Sequence, residues 1–389
     1  MRILYIQSTT VPPPTDVQTD RFYLLSDTMG GDVLQPAWFR SPGEVEAIFG
    51  VGSYPIYTVG NFRYHWMLAG RWRYQGIWQR LAKFAFYVRK GLELHRKQPY
   101  DCIIAYSHMT TGLCAGILKL LVGCKLIIEI VTAPKLIYLT MRPRPTWGER
   151  LMHLYSDACL HLSMLLSDRL HLLYPRQLSE YSLSYKVRKS VFHEFVPVSA
   201  VYRRSTYEDP EPFVLLVGAP WYLKGADRLI EAFHGLANDF PNVKLKILGY
   251  YPDRSGLEAL TVGLQQIEIL EPRSNPEVLR MISQATVMVL PSRCEGVARV
   301  LIEGMAAGIP LIGSEAGGVP FVVRDQENGF IVSGGESKSL EKRLRELLVD
   351  PELRRRMGEN GYLRAHTELN ERIYVEQFTR MVEATVRGE

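Results

Sequence analysis

Val287-Met288-Val289-Leu290-Pro291-Ser292-Arg293-Cys294-Glu295-Gly296 runs an apolar strand into a Pro-Ser turn that bears a carboxylate, and the helical run after it carries a second carboxylate, Glu303. Gly308-Ile309-Pro310-Leu311-Ile312-Gly313 then reads as another short buried strand, with Gly317-Gly318 as the turn beyond it. Strand, acidic turn, helix, strand and glycine turn make a nucleotide-site layout. A helix opening near Val297 leaves its first backbone N–H groups unpartnered and aims the positive end of its dipole at the turn, where a diphosphate would sit. Eight residues advance an ideal helix by about 80° beyond two full turns, so Glu295 and Glu303 share a face only if Glu295 stands in the turn. The first would then accept from sugar hydroxyls and the second from a diol such as ribose. Spacing alone leaves open a plainer reading, in which Glu295 partners the helix dipole and Glu303 is solvated.

Outward from this stretch the pattern repeats. Phe213 to Val217 is a strand, Gly218 to Leu223 a turn, and Lys224-Gly225 opens a helix to about Ala237. Val243 to Leu248 is a strand, a helix lies near Pro276 to Ser283, and Gly329 to Val332 is the last strand. Polar helices follow over Ser337 to Leu348 and Pro351 to Met357, and Glu371 to Val386 is amphipathic. The Pro-containing polar run Glu194 to Pro212 reads as a linker.

Upstream, Ile3 to Ile6 is a strand and Asp16 to Leu25 a helix start; Asp32 to Leu34 and Tyr54 to Val59 are further strand candidates. Asp101 to Tyr106, Thr110 to Leu121 and Lys125 to Val131 alternate as strand, helix, strand. Trp147 to Tyr155 is a helix, and Ala158 to Leu162 reads as the last strand of this first sheet, with Ser163 capping the next helix. The fold class is therefore α/β, two doubly wound Rossmann-like domains facing a central cleft, with residues 1–200 on the acceptor side, 201–370 on the nucleotide side and 371–389 a helix crossing back. In that cleft Lys224 and Glu295 meet one ligand from two loops, the ammonium as a point charge for phosphate; alone, Lys224 is a solvated residue at a helix start. His108 follows the carboxyl end of its strand, where it would touch acceptor or sugar, or else satisfy a loop carbonyl.

At 389 residues, 47% hydrophobic and 22% charged, the composition is that of a soluble two-domain protein. Even the apolar stretch Leu120 to Val131 is broken by Lys125 and Glu129, so no membrane span is expected. With no charged leader and apolar core at the start, a cytoplasmic location is expected. The five cysteines are scattered, with no C-x-x-C pair or zinc spacing, and read as buried thiols. Cys294 beside Glu295 has no nearby histidine in sequence to activate it as a nucleophile. The charge is uneven: residues 1–200 hold 23 Lys and Arg against 14 Asp and Glu, and the remainder 23 against 27. An anionic partner for the first half is implied. Residues 62–97 interleave aromatics with Arg63, Arg71, Arg73, Arg80 and Lys83, opposed only by Glu93. This suits peripheral contact with an anionic membrane surface, an ordinary amphipathic helix from about Ile77 to Arg96, or, as the least favoured reading, stacking on nucleic acid. No G-x-G-x-x-G and no G-x-x-x-x-G-K-[ST] is present.

Taken together, V-G-A-P-W-Y-L-K-G (Val217 to Gly225), L-P-S-R-C-E-G-V-A-R-V-L-I-E-G-M-A-A-G-I-P (Leu290 to Pro310), G-S-E-A-G-G-V-P (Gly313 to Pro320), N-G-F-I-V (Asn328 to Val332) and D-P-E-L-R-R-R-M-G-E-N-G (Asp350 to Gly361) resemble the GT-B glycosyltransferases of glycosyltransferase family 4. The resemblance implies a hexosyltransferase that moves a sugar from a UDP- or GDP-sugar, with retention at the anomeric carbon and neither cofactor nor metal, to a saccharide or lipid-linked acceptor. It gives Glu295 and Gly296 the donor sugar, Glu303 the ribose, and Lys224, Gly218 and the backbone N–H groups near Ala298 and Arg299 the diphosphate. The family often has Gly-Arg where this chain has Gly218-Ala219, so Arg273 or Arg293 is expected to supply the missing cation. Competing classes are a non-catalytic nucleotide-sugar-binding subunit and, less favoured, a sugar-nucleotide isomerase on the same fold.

Overall fold

The computed structural model describes residues 1–8, 17–39, 42–49, 56–68, 76–134, 137–179, 186–251, 254–333 and 336–389. Two sheets divide the chain. The first is built from β1 (Arg2–Ile6), β2 (Gly30–Phe39), β3 (Ile56–Val59), β4 (Phe62–Leu68), β5 (Cys102–Tyr106), β6 (Lys125–Ile130), β7 (Arg169–Leu172) and β8 (Arg188–Val191), in the order β3-β4-β2-β1-β5-β6-β7-β8. Every pair is parallel except β3 with β4. The second sheet holds β9 (Phe213–Val217), β10 (Lys244–Leu248), β11 (Ile267–Leu270), β12 (Val287–Leu290), β13 (Leu311–Ser314) and β14 (Gly329–Val332), all parallel, in the order β11-β10-β9-β12-β13-β14.

Parallel neighbours need long crossovers, and helices supply them. With the first sheet go α1 (Arg21–Leu25), α2 (Pro42–Phe49), α3 (Gly76–Lys97), α4 (Thr110–Val122) and α5 (Trp147–Leu166). With the second go α6 (Ala226–His234), α7 (Ser255–Ala259), α8 (Asn275–Gln284), α9 (Arg299–Ala307), α10 (Val319–Val322), α11 (Ser337–Val349) and α12 (Pro351–Glu368). Both central strand sets are apolar runs buried on two faces, which is what covered parallel sheets require. The last helix, α13 (Glu371–Arg387), lies against the first sheet, not the second: Tyr374, Phe378, Met381 and Val382 share a core with Ile3, Tyr5 and Phe22. Glu371 fastens its start, accepting from the backbone N–H groups of Val198 at 3.0 Å and Ser199 at 3.3 Å.

Two expectations are corrected. Ala158 to Leu162 is not a strand but the middle of α5, which the Thr146–Glu149 capping box starts and which buries Ser156, Cys159, Leu160, Ser163 and Met164 at helical intervals. The end of that sheet is made instead by β7 and β8. The aromatics of 62–66 belong to β4, whose Phe62, Tyr64 and Trp66 are buried in the core, so they are unavailable to a membrane or to bases. The chain around Thr9 to Asp16, Tyr54, and Arg71, Trp72, Arg73 and Tyr74 lies outside the described residues. No helix among the described residues is long and apolar enough to cross a membrane.

The cross-strand partner of β4 explains its basic residues. Asp32 on β2 is fully buried and accepts from Arg2 at 2.6 Å, Arg63 at 3.1 Å, His65 at 2.7 Å and Tyr100 at 2.6 Å. Burial alone would raise its carboxyl, but the hydrogen bonds from His65, Tyr100 and Arg63 win and hold it well below the usual carboxylate range.

Candidate active site

β9 and β12 are neighbours, yet the chain leaves β9 for β10 and β11 on one side and leaves β12 for β13 and β14 on the other. Loops that diverge at such a switch point open a crevice beyond the carboxyl ends of the strands. Lys224 comes from the loop after β9 and Glu295 from the loop after β12. Gly218 sits at φ +143° with the lysine stem across it; a Cβ there would be 3.0 Å from Lys224 Cε. Gly225, at φ +74°, presses against the second loop so closely that a Cβ would fall 2.1 Å from Pro291 O. Arg293 N–H donates to Leu223 O at 2.8 Å and joins the loops further.

This packing brings the two charges into contact. Lys224 Nζ donates to Glu295 Oε1 at 2.6 Å, Ser292 Oγ donates to the same oxygen at 2.7 Å, and Ser314 Oγ holds Ser292 O at 2.7 Å. Glu295 is 7% exposed, so the pair is largely dry. Beside it α9 begins at Ala298 with no side chain capping its N-terminus. Glu303, one turn into α9, has no hydrogen-bond or ion-pair partner among the described residues, and burial raises its carboxyl above the ordinary range while Arg299 opposes the rise. Arg299 is exposed, likewise makes no hydrogen bond or ion pair there, and its charge reaches the Tyr106 hydroxyl at the end of β5. Opposite, Gly296 lies so near the first sheet that a Cβ would be 2.5 Å from Val131 O, and one on Gly318 would be 2.8 Å from the Tyr174 ring. An ammonium paired with a carboxylate thus stands beside open helix N–H groups, and a second, unpartnered carboxylate lies one turn into the same helix.

Residues 200–364 match the family model of the glycosyl transferases group 1. The chain carries a group 1 glycosyl transferase domain. An uncharacterized glycosyltransferase of Methanocaldococcus jannaschii is 33% identical over 178 residues, 45% of this chain and 48% of that protein. A D-inositol 3-phosphate glycosyltransferase of Corynebacterium glutamicum is 31% identical over 163 residues, 40% of this chain and 39% of that one. The chain therefore spans half or less of the length of these curated relatives. Over whole chains the likeness is structural: sucrose-phosphate synthase from Thermosynechococcus elongatus aligns with a TM-score of 0.80 at 18% identity, covering 100% of both. WaaG, a glycosyltransferase involved in lipopolysaccharide biosynthesis, aligns at 0.69 and 16%, covering 98% of this chain and 99% of that one. The fold is GT-B, two parallel-sheet α/β domains.

Within the group 1 domain the expected cations separate. Arg293 is already engaged: it pairs with both oxygens of Asp227, at 2.8 and 2.6 Å, and stacks 3.6 Å over the Tyr222 ring. Arg273 is half exposed at the start of α8, 3.9 Å from Glu277, on the β11 side of the sheet and two strands from β9. The exposed cation beside Glu303 is instead Arg299, whose backbone, not side chain, carried the sequence assignment. Ser292 and Ser314, which hold the glutamate loop, also went unassigned; the serine three residues before Glu295 was the available signal. His108 is 2% exposed between α4 and α5, with Nε2 2.9 Å from Ser156 Oγ, and burial lowers its pKa to about 4. It packs the first domain and does not join the Lys224–Glu295 cluster.

Proposed function

We propose that the protein is a retaining glycosyltransferase that moves a hexose from a UDP- or GDP-sugar to a saccharide or lipid-linked acceptor, without a required metal. The observation that carries this reading is the convergence of Lys224, Glu295, unpartnered Glu303 and the uncapped start of α9 at the switch point of the group 1 domain. Donor entry exchanges partners: the Lys224 ammonium turns from Glu295 to the diphosphate, and the freed Glu295 oxygen accepts from donor sugar hydroxyls. Glu303, half-buried and lacking a donor, accepts from the ribose diol. As the glycosidic bond to phosphate breaks, negative charge grows on the departing diphosphate. Lys224, the Arg299 side chain and the first N–H groups of α9 are preorganised to stabilise it. Arg299 thereby takes the place expected for Arg273 or Arg293.

The close approach of Gly296 to Val131 brings the donor loop against the first domain, and so excludes water that would otherwise hydrolyse the donor. Purified protein incubated with UDP-, GDP- and ADP-sugars and candidate acceptors should release nucleoside diphosphate from one donor, with the anomeric configuration kept in the product by NMR. Tight nucleotide-sugar binding without release under any acceptor would instead identify a non-catalytic binding subunit. An inverted product would remove the retaining assignment.

A further inference from the structure

α5 carries an apolar stripe that the rest of the described chain leaves bare. Trp147, Leu151, Leu154, Leu162 and Leu165 are between 45% and 87% exposed, and Ala158 between them is exposed as well. Steps of three and four residues place them on one helix face about 27 Å long, while Ser156, Cys159, Leu160, Ser163 and Met164 fill the opposite, buried face. The helix is thus apolar on both sides, one more side than its own domain uses. α3 joins it at one end: Arg80 lies 2.6 Å from Met152 Sδ and 5.2 Å over the Tyr155 ring, and Trp78 and Leu81 beside it are 66% and 51% exposed. Contiguous bare apolar surface of this kind marks an interaction site.

The charges around the stripe select the occupant. Residues 76–97 and 141–166 together hold nine Lys and Arg against three Asp and Glu. One of the three, Glu149, is already held by Thr146 and by Arg142 at 2.9 Å. Leucines along a helix, tryptophans at one end and basic residues at the flanks match the acyl, headgroup and anionic layers of a lipid surface in turn. We propose that α5, flanked by α3, docks the protein on an anionic lipid bilayer, lying in the plane of the interface with Trp147 at headgroup level. The inference stands apart from the sugar-transfer reading, because none of these residues belongs to the donor crevice. The surface also differs from the one read in the sequence: the aromatics of β4 are core, and the docking face is a helix not singled out for it. α5 follows the carboxyl end of β6, so its Trp147 end stands at the rim of the cleft and the bilayer meets the molecule there.

The test is flotation of the full chain with vesicles of phosphatidylcholine alone and of phosphatidylcholine mixed with phosphatidylglycerol. The protein should float with the mixed vesicles and not with the neutral ones. The triple variant Leu151→Gln/Leu154→Gln/Leu165→Gln should lose binding at least about tenfold while melting at the same temperature, since the exposed positions hold no core. Trp147 reports independently of any folding effect: the emission difference between the native protein and Trp147→Phe should shift to the blue when mixed vesicles are added. Absence of flotation by the native protein, undiminished flotation by the triple variant, or no blue shift overturns the proposal. So does a native dimer in light scattering that the triple variant converts to monomer, which would assign the stripe to a second copy of the chain.

Discussion

Glu303, the residue proposed to take the ribose, works against the stability of the empty protein. Its carboxyl is raised by burial, so the unfolded chain gives up the proton at lower pH than the folded one. Stability is therefore unaffected below the ordinary carboxylate range and is lost as pH rises through the window between the ordinary and the raised value. Replacing it by glutamine removes that loss. Glu303→Gln should raise the melting temperature of the ligand-free protein at neutral pH and leave it unchanged in acid. The same substitution should weaken nucleotide-sugar binding by about 1–3 kcal/mol, the size of a charged hydrogen bond, by calorimetry. Unchanged affinity would separate Glu303 from the donor. The role proposed for this residue could be read from the sequence because Glu295, Glu303 and the helix start between them are local in the chain. The pairing of Arg293 was not legible because its partner, Asp227, stands in the first turn of α6, 66 residues away. His108 faces Ser156 across 48 residues, and no spacing rule reaches that far.

At the scale of elements, β2 and β4 depend on one carboxylate. Asp32 gathers Arg2, Arg63, His65 and Tyr100 from β1, β4 and the turn before β5 into a buried cage. Asp32→Ala would strand those donors, and the loss should be about 3–5 kcal/mol, as for breaking a buried ion pair, read as a lower urea midpoint. β4 escaped the sequence reading for a related reason. Phe62, Tyr64 and Trp66 alternate with Arg63 and His65 in a strand's period of two, but the basic residues looked like a solvated face because Asp32 lies on a different strand. The apolar strands of the second sheet were plain in the sequence, whereas β11, only partly buried at the sheet edge, carried too weak a pattern. α5 was cut short at Tyr155 because A-C-L-H-L has the composition of a strand; only its burial every third or fourth residue reveals the helix.

At the scale of the molecule, acid should loosen the first domain before the carboxylates of the chain are protonated. His108 and His193 are both buried, and burial lowers each pKa to about 4 from an ordinary 6.5. The unfolded chain takes up these protons first, so the stability they permit is complete above pH 6.5 and is lost as pH falls toward about 4. Denaturant midpoints measured across this window should decline, and His108→Gln/His193→Gln should flatten the decline. A slope that the double variant leaves unaltered would place the acid sensitivity elsewhere. The division into two sheets was legible from the restart of strand and helix after the linker. The contact of Gly296 with Val131, and which strands the returning α13 covers, were not, since they depend on how distant segments meet.

The return of α13 to the first sheet means that the polypeptide passes between the two halves twice, and Glu371 ties both passages together by gripping the backbone of Val198 and Ser199. The second half is therefore joined covalently to the first, at its entry and its exit, along a single short seam. A body suspended in this way has one cheap motion, rotation about that seam; sliding or drifting apart would stretch both passages at once. The displacement of any atom grows with its distance from the axis, so a slight turn at Glu371 is magnified at the far lips of the cleft.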